Sequence, residues 1–198
     1  MIDPTQVTNY NRTRSELEEF VLFTAVVSGK RSSVQAPKLH NFLSRARQVT
    51  ASGPDLSPLQ LCHELDDEGL LACLTEVRMG QYTRLVRTIR RIATAVCQDG
   101  LDLKTAQLET LSAYLGLKTV RMFLLHTRPN AGVAVLDTHI LSWLRAQGVA
   151  APRATPSSAR RYRVLEQRFL RFAAEQGVDP AELDLQVWIK GATPKGQA

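Results

Sequence analysis

A lysine and an aspartate are the residues of this sequence whose types and spacing could do chemistry. Lys118 stands at a break between two amphipathic segments, 106–113 and 117–127, and Asp137 follows the apolar run 133–136 nineteen residues later. A lysine amine is a nucleophile only when it is neutral, and burial beside the positive end of a helix favours the neutral form. Lys118 is therefore a candidate amine nucleophile.

The turn before the lysine suits contact with a phosphate group. Gly116 has no Cβ, so it can adopt a positive φ and let another backbone approach closely. The amides of Leu117, Lys118 and Thr119 are the unsatisfied donors of a new helix, whose end carries a positive partial charge. Because such an end favours an anion, the turn resembles a helix–hairpin–helix that binds one DNA phosphate.

The aspartate also has a structural interpretation. Asp137 comes directly before Thr138-His139-Ile140-Leu141, where a helical pattern begins. An aspartate at this position predicts a helix N-cap, with the carboxylate held by backbone amides. We expect His139 to be a structural residue of that helix and not a second base. Taken alone, the turn and the cap are ordinary features, and only their combination favours a catalytic site.

The two segments together resemble the helix–hairpin–helix DNA glycosylase superfamily of endonuclease III and the 8-oxoguanine glycosylases. Leu115-Gly116-Leu117-Lys118-Thr119 matches the end of the family's L-P-G-V-G-x-K-T-A hairpin, and Leu136-Asp137-Thr138-His139 matches its V-D-T-H motif at the family's spacing. Two hairpin positions differ, since Tyr114 replaces the first glycine and Ala113 stands where proline is usual. The resemblance implies that Lys118 and Asp137 are the catalytic residues.

Within the superfamily the chain resembles the archaeal-type 8-oxoguanine glycosylases, which also occur in bacteria. The likeness is carried by segments 16–18, 20–23 and 134–141, and by Leu183-Asp184-Leu185 followed by Trp188. Trp188 is thus a candidate to stack on the flipped base, although a core tryptophan is an equal alternative. That subfamily ends in a lysine near its base pocket, whereas this chain ends Lys195-Gly196-Gln197-Ala198.

The resemblance also assigns residues to the gap that an extruded base leaves in the duplex. Gly80-Gln81-Tyr82 resembles the family's G-x-Y turn, whose middle residue fills that gap, so Gln81 would be the wedge. The basic loop with Lys30 and Arg31 falls in the region that lies near the gap. For the Gly80-Gln81-Tyr82 segment, the alternative is a plain turn with Tyr82 in the core. For the basic loop, the alternative is a solvated loop between two helices.

The implied mechanism is base flipping followed by cleavage of the N-glycosidic bond. Lys118 would attack C1′ and form a Schiff base that permits β-elimination, which is abasic-site (AP) lyase activity, while Asp137 stabilises the sugar cation. No cofactor or metal is expected. The first expectation for the excised base is one like 8-oxoguanine. An alternative for the excised base is a bulky modified cytosine of phage DNA, removed in defence. Two alternatives for the function are a non-catalytic DNA-binding module and a helical scaffold that needs neither Lys118 nor Asp137.

Composition agrees with a nucleic-acid partner. The chain has 198 residues and a net charge of +6, which fits a polyanion and makes double-stranded DNA the expected partner. The arginines within 82–96 lie off the apolar stripe of that segment, so we expect most of them to form a solvated face. The longest apolar run, 20–27, is too short to span a membrane, and the N-terminus lacks a signal-peptide pattern. We therefore expect a cytoplasmic monomer.

The three cysteines show no metal-binding spacing. Cys62, Cys73 and Cys97 form no C-x-x-C pair, and their apolar neighbours predict core thiols. Many relatives of endonuclease III carry four cysteines for an iron–sulfur cluster after the catalytic aspartate. This chain has no cysteine beyond residue 97, so that cluster is absent.

Hydrophobic periodicity predicts an all-α fold of about ten helices, the first begun by a Thr13-x-x-Glu16 capping box. The predicted helices are 13–27, 33–47, 58–64, 67–76, 82–96, 106–113, 117–127, 138–148, 157–176 and 180–189. By the resemblance, residues 1–198 form a single glycosylase domain with two lobes and a DNA-binding cleft between them. One lobe would be 32–130, including the hairpin 105–128, and the other 1–31 plus 131–198.

Overall fold

The structure, a computed structural model, describes residues 1–51 and 55–192. These residues form ten α-helices and no strand. In chain order the helices are α1 Arg14–Val26, α2 Ser32–Val49, α3 Pro58–Glu64, α4 Asp67–Glu76, α5 Tyr82–Cys97, α6 Leu108–Ser112, α7 Leu117–Thr127, α8 Thr138–Ala146, α9 Ala159–Gln176 and α10 Pro180–Ala192. The predicted all-α class is confirmed, whereas the C-terminal residues 195–198 lie outside the described part of the chain.

Local capping determines where several helices begin. At α1 the Thr13 hydroxyl accepts a hydrogen bond from the Glu16 amide at 3.3 Å, and the Glu16 carboxylate accepts one from the Thr13 amide at 2.7 Å. This reciprocal pair satisfies two amides that the first turn would otherwise leave without partners. At α3 the Gln60 side chain accepts from the Ser57 amide at 2.9 Å, and Pro58 occupies the first helical position. The capping box predicted for α1 is confirmed.

The chain divides into two compact units. The N-terminal unit contains Met1–Val7 and Asn11–Gly116, and the C-terminal unit contains Thr8–Tyr10 and the chain from Leu117 onwards. These boundaries differ from those of the predicted lobes in two places. Helix α1 belongs to the N-terminal unit, and the predicted hairpin is divided between Gly116 and Leu117. Helix α1 is placed there because it packs against α2, α3 and α5.

The N-terminal unit is built around α1, which is apolar on nearly all sides. Phe20, Leu22 and Phe23 are fully buried, so this helix needs neighbours all around it. The neighbouring α5 buries the predicted stripe at its centre, but its first residue, Tyr82, stays only half-buried. Cys62 and Cys73 are buried and Cys97 half-buried, all as free thiols, and burial raises the pKa of the Cys62 thiol. The prediction of core thiols is thus confirmed for two of the three.

Three arginines of α5 bind the ends of neighbouring helices. Arg84 donates to the carbonyl oxygen of Ala25 at 2.9 Å, and Arg91 donates to that of Ala113. Arg90 donates to three carbonyls at the end of α3, including those of Cys62 at 3.3 Å and His63 at 3.1 Å. Arg84 and Arg91 are exposed, as expected of a solvated face, whereas Arg90 is half-buried. Unsatisfied carbonyls at helix ends lie within reach of all three.

The C-terminal unit has a separate core that supports α8 and the segment before it. Its buried members are Ala134, Leu136, Ile140, Leu141, Leu144, Tyr162, Leu165, Phe169, Ala173, Leu183 and Val187. Trp143 packs edge-on against Phe169 and Phe172, with ring centroids 5.7 and 5.5 Å apart. None of the helices in the described ranges is long and apolar enough to cross a membrane.

Candidate active site

Lys118 is the second residue of α7, and its side chain is half-buried. The helix begins directly after Gly116, as predicted, but Gly116 does not adopt a positive φ. Gly116 does not need that conformation, because the chain already turns at Tyr114 and Leu115, whose amides both donate to the carbonyl of Leu111. A Cβ placed on Gly116 would meet no atom of the described chain within 4 Å. The space over the turn is therefore open.

Asp137 is the N-cap of α8, as predicted. Its Oδ1 accepts a hydrogen bond from the Ile140 amide at 2.8 Å. Its own carbonyl accepts the first helical bond, from Leu141 at 2.9 Å. The carboxylate is half-buried, and the cap fixes one of its oxygens.

The segment 133–136 before Asp137 is held by side chains of α9 and not by a second strand. The Tyr162 hydroxyl donates to the Ala134 carbonyl at 3.0 Å and accepts from the Leu136 amide at 2.9 Å. Glu166 accepts from the Ala134 amide at 3.0 Å. Burial raises the pKa of Tyr162, so its hydroxyl stays neutral and can donate and accept at once. These bonds position the residue that follows, Asp137.

A buried ion pair connects this segment to the helix that carries Lys118. Arg121, one turn after the lysine on α7, donates to Glu166 at 2.6 Å and 3.3 Å through two nitrogens. Its third nitrogen donates to the Leu117 carbonyl at 3.1 Å, and its guanidinium lies 4.4 Å from the centre of the Tyr162 ring. Because Glu166 also binds the segment before Asp137, the ion pair couples the positions of the two predicted catalytic residues.

A second carboxylate lies close to the lysine and the aspartate. Asp184 on α10 is buried, its Oδ2 is 3.4 Å from His126 Nε2, and its Oδ1 has no hydrogen-bond partner among the described residues. The other ring nitrogen of His126 shares a hydrogen bond of 2.9 Å with the Thr8 hydroxyl. Burial raises the pKa of Asp184. The hydrogen bond and the charge of His126 act to lower this pKa. The nearby Asp137 carboxylate raises it further, whereas the charge of Lys118 lowers it.

Asp184 belongs to the Leu183-Asp184-Leu185 motif of the family resemblance, which gave this residue no role of its own. The available signal was a carboxylate between Leu183 and Leu185, on the face of α10 that also buries Val187. A buried charge needs a partner or a function. The partner, His126, lies 58 residues away in the chain, so no local spacing could reveal it.

Trp188 and His139 lie together at the α8–α10 contact. Trp188 is half-buried, and its ring meets that of His139 edge-on with centroids 6.5 Å apart. A Cβ on Gly191 would lie 2.4 Å from His139 Nδ1, so the imidazole packs on the backbone of α10. His139 thus has the structural place expected of it. Trp188 is not a core tryptophan, and its role as a base platform stays a prediction.

The predicted wedge residues form a second group, in the N-terminal unit. Gln81 has a φ of 53° and directly precedes α5, after Gly80 with a φ of 77°. The Gln81 side chain donates to the Ser28 carbonyl at 3.4 Å and accepts from Arg84 at 2.6 Å. A glutamine in the left-handed backbone conformation costs about 1–2 kcal/mol relative to the right-handed helical conformation. Such backbone outliers cluster at functional sites.

The basic loop lies beside this turn. Lys30 is exposed, and its Nζ would be 3.5 Å from a Cβ on Gly80. Arg31 is also exposed, as the residue that precedes α2. The structure therefore brings Gly80, Gln81 and Lys30 together, with Tyr82 as the first residue of α5. Their contact with DNA stays a prediction.

Comparison with known proteins supports the fold. No model of a known protein family matches the sequence. Among solved structures, the crystal structure of the 8-oxoguanine DNA glycosylase of Thermotoga maritima is similar, with a TM-score of 0.66 and 20% sequence identity over 93% of this chain and 82% of that chain. This similarity confirms the predicted helical fold, which the chain shares with that glycosylase.

The buried ion pair between Arg121 and Glu166 leads to a prediction about the free energy of unfolding. Glu166→Gln preserves the shape of the side chain but leaves Arg121 as a buried charge without a counter-charge. We expect the free energy of unfolding to fall by about 3–5 kcal/mol in urea denaturation, as when one partner of a buried pair is removed. Glu175→Gln, an exposed change on the same helix, is the control and should shift stability by less than about 0.5 kcal/mol. Equal effects of the two changes would contradict a structural role for the pair.

The raised pKa of Asp184 leads to a prediction about how folding stability depends on pH. Because its pKa is raised by burial, the protonated carboxyl favours the folded state, and this contribution is lost as the pH rises through the raised pKa. Asp184→Asn cannot ionise but can still accept a hydrogen bond from His126. We expect the variant to gain stability relative to wild type as the pH rises above about 4, measured by urea denaturation between acid and neutral pH. A stability difference that does not change with pH would count against this interpretation.

Proposed function

We propose that this chain is a DNA glycosylase that removes a base from duplex DNA and then cleaves the abasic strand through a lysine Schiff base. One observation carries the proposal: Lys118 and Asp137 begin successive helices of one compact unit, α7 and α8, and are coupled through Arg121, Glu166 and the Ala134 amide. The similar solved structure is that of an 8-oxoguanine DNA glycosylase, which supports the same reaction class.

Asp137 acts on the charge that develops in the sugar. As the N-glycosidic bond breaks, its electron pair leaves with the base and positive charge spreads over C1′ and the ring oxygen. The Ile140 amide holds Oδ1 of Asp137 at 2.8 Å, so the carboxylate does not need to reorganise during the reaction. A preorganised negative group is an effective electrostatic stabiliser of such a transition state.

Lys118 supplies the nucleophile. Its neutral amine forms a bond to C1′ while the base departs, and the proton that the nitrogen loses goes to the base. Opening of the sugar ring then gives a C1′ Schiff base, which makes the C2′ hydrogen acidic. Loss of that proton expels the 3′ phosphate and cleaves the strand. Arg121, which binds the carbonyl of Leu117 and the carboxylate of Glu166, keeps the first turn of α7 in place during these steps.

DNA contacts follow from the first turn of α7 and from the wedge group. The amides of Leu117, Lys118 and Thr119 are at the positive end of an eleven-residue helix, and the space over Gly116 is open for a phosphate. We assign Gln81 to the gap left by the flipped nucleotide, with Lys30 and Arg31 beside it. Trp188, half-buried on α10, is the proposed stacking platform for the extruded base.

A non-catalytic DNA-binding module fits the structure less well. Such a module could use the open turn at Gly116 to hold a phosphate, but it would need neither the amine nor the carboxylates. Here Lys118 is accompanied by Asp137 and by the buried Asp184, whose Oδ1 has no hydrogen-bond partner in the described chain. A buried carboxylate of this kind lowers stability, so its presence favours a chemical role at this site.

The catalytic pair is tested by two substitutions that preserve shape. Lys118→Gln removes the amine, so Schiff-base trapping by borohydride and strand cleavage should vanish, while DNA binding and the melting temperature are retained. Asp137→Asn keeps the helix cap but removes the charge, and base excision should fall about a hundredfold or more. Both are measured on duplexes that carry 8-oxoguanine, other damaged bases and modified cytosines.

The control for this experiment is Lys104→Gln, which removes an exposed lysine of the N-terminal unit. It should leave trapping, cleavage and excision at their wild-type levels. If folded Lys118→Gln and Asp137→Asn variants cut the best substrate at the wild-type rate, the assignment of these residues is wrong. Base excision that survives in Lys118→Gln without strand cleavage would instead show that water attacks C1′, contrary to the role of Lys118 proposed here.

The wedge is tested by comparing substrates. Gln81→Ala removes the amide that binds Ser28 and Arg84, and it should slow excision from duplex DNA more than from a single strand, because only a duplex has a gap to fill. Gln98→Ala, at the other end of α5, is the matched control and should affect neither substrate. An equal loss on single and double strands would remove Gln81 from the wedge role.

A further inference from the structure

The last part of the chain carries a concentration of positive charge that the proposed site does not use. Residues 145–175 contain seven arginines and two glutamates, a net charge of seven minus two, or +5, compared with +6 for the whole chain. One of the glutamates, Glu166, is buried and paired with Arg121 outside this stretch. Five of the arginines lie on α9. They are Arg160, Arg161, Arg163, Arg168 and Arg171, here called the arginine stripe.

The arginine stripe lies on the face of α9 that is turned away from the core. The helix buries Tyr162, Leu165, Glu166, Phe169 and Ala173, whereas all five arginines are exposed. With 3.6 residues per turn, the five arginines fall within a sector of about 160° opposite the buried face. Along the axis the stripe extends for about 16 Å at 1.5 Å per residue. The stripe is thus a continuous basic surface that is as long as a few successive phosphates of a DNA strand.

The stripe has no structural use within the described chain. None of its five side chains has a hydrogen-bond or ion-pair partner there. The contrast is with Arg84, Arg90 and Arg91 of α5, which bind carbonyl oxygens at the ends of other helices. Like charges spaced three residues apart on a helix, such as Arg160 and Arg163, repel each other. The stripe therefore costs stability in the free protein, and an anionic partner would relieve that repulsion.

The surface beside the stripe is concave. A cleft of about 550 Å³ lies between α9 and the end of α8, and its lining includes Arg168, Arg171, Val164 and Gly148. Two guanidinium groups thus stand on the wall of a groove. Glu175 is also part of the lining, so the positive surface has a boundary at this end of the helix.

We propose that the arginine stripe binds the phosphate backbone of a duplex DNA segment other than the one presented to Lys118 and Asp137. The opposite face of α9 holds the segment that ends at Asp137, through Tyr162 and Glu166. That face is buried in the core, so the stripe points away from the segment that ends at Asp137, and we assign it a separate stretch of duplex. The naming of the polyanion as DNA rests on the proposed function. Guanidinium groups suit phosphates because their geometry allows paired hydrogen bonds.

Such a surface would hold the enzyme on DNA without reading its sequence. Phosphate contacts release counterions and give affinity that depends steeply on salt but not on base identity. A protein held in this way can stay bound to DNA while no nucleotide occupies the site at Lys118 and Asp137. The stripe would therefore contribute to binding of undamaged DNA and leave the chemical step unchanged.

The test is the double variant Arg160→Gln/Arg171→Gln, which neutralises the two ends of the stripe. On a long undamaged duplex, the slope of log affinity against log salt should become shallower by about 1.8, since each lost phosphate contact contributes about 0.9. The matched control is Arg45→Gln/Arg47→Gln on α2, which makes the same change in net charge. Arg45 is already paired with Glu76 at 2.8 Å, so this control should keep the wild-type slope.

Excision of a saturating short substrate duplex, measured in a single turnover, separates this proposal from the proposed function. The stripe variant should cut it at the wild-type rate, with a melting temperature that is not lowered. An unchanged salt slope in the stripe variant would overturn the proposal while leaving the glycosylase assignment intact. Loss of excision on the short duplex would also overturn it, because the stripe would then belong to the catalytic DNA contact. Weaker binding to polyglutamate with unaltered DNA binding would instead identify an acidic protein as the partner, and would likewise overturn it.

Discussion

The geometry of the candidate site depends on the buried ion pair between Arg121 and Glu166. Removing two charges from water is costly, and the mutual attraction offsets that cost only when further hydrogen bonds complete the pair. Here Arg121 also binds the Leu117 carbonyl and lies over the Tyr162 ring, while Glu166 accepts from the Ala134 amide. An apolar pair of the same volume could stabilise the unit equally well. It could not accept a hydrogen bond from a backbone amide, and so it could not direct the segment that ends at Asp137.

The same unit contains a group that works against stability. Asp184 is buried with one oxygen lacking a hydrogen-bond partner among the described residues, and an unsatisfied buried acceptor costs about 1–3 kcal/mol. Its other oxygen is held by His126, which in turn contacts Thr8 near the N-terminus. Satisfied networks elsewhere in the unit compensate for this cost. Native proteins usually break local packing rules at functional sites, and the neighbours of Asp184 are Lys118 and Asp137.

Local chemistry made much of the fold and half of the site predictable. The Thr13–Glu16 cap and the Asp137 cap involve residues three apart, so both could be read from the sequence. Helix α6 is shorter than predicted because Gln107 has extended backbone and is the N-cap, so the helix begins at Leu108 and not at residue 106. The ion pair and the Asp184–His126 contact join residues 45 and 58 positions apart. No periodicity reports such pairs, since they exist only after the helices have packed.

The arginines show how far composition can be interpreted as function. Helices α5 and α9 are both amphipathic and arginine-rich, and their sequences give no reason to treat them differently. What separates them is the neighbourhood: three of the four arginines of α5 reach the carbonyl ends of α1, α3 and α6, whereas those of α9 reach none in the described chain. A guanidinium that already binds helix carbonyls has fewer donors for a phosphate. The net charge of +6 therefore overstates what α5 offers to a polyanion, and the positive charge available to one is concentrated on the unit that also holds Lys118.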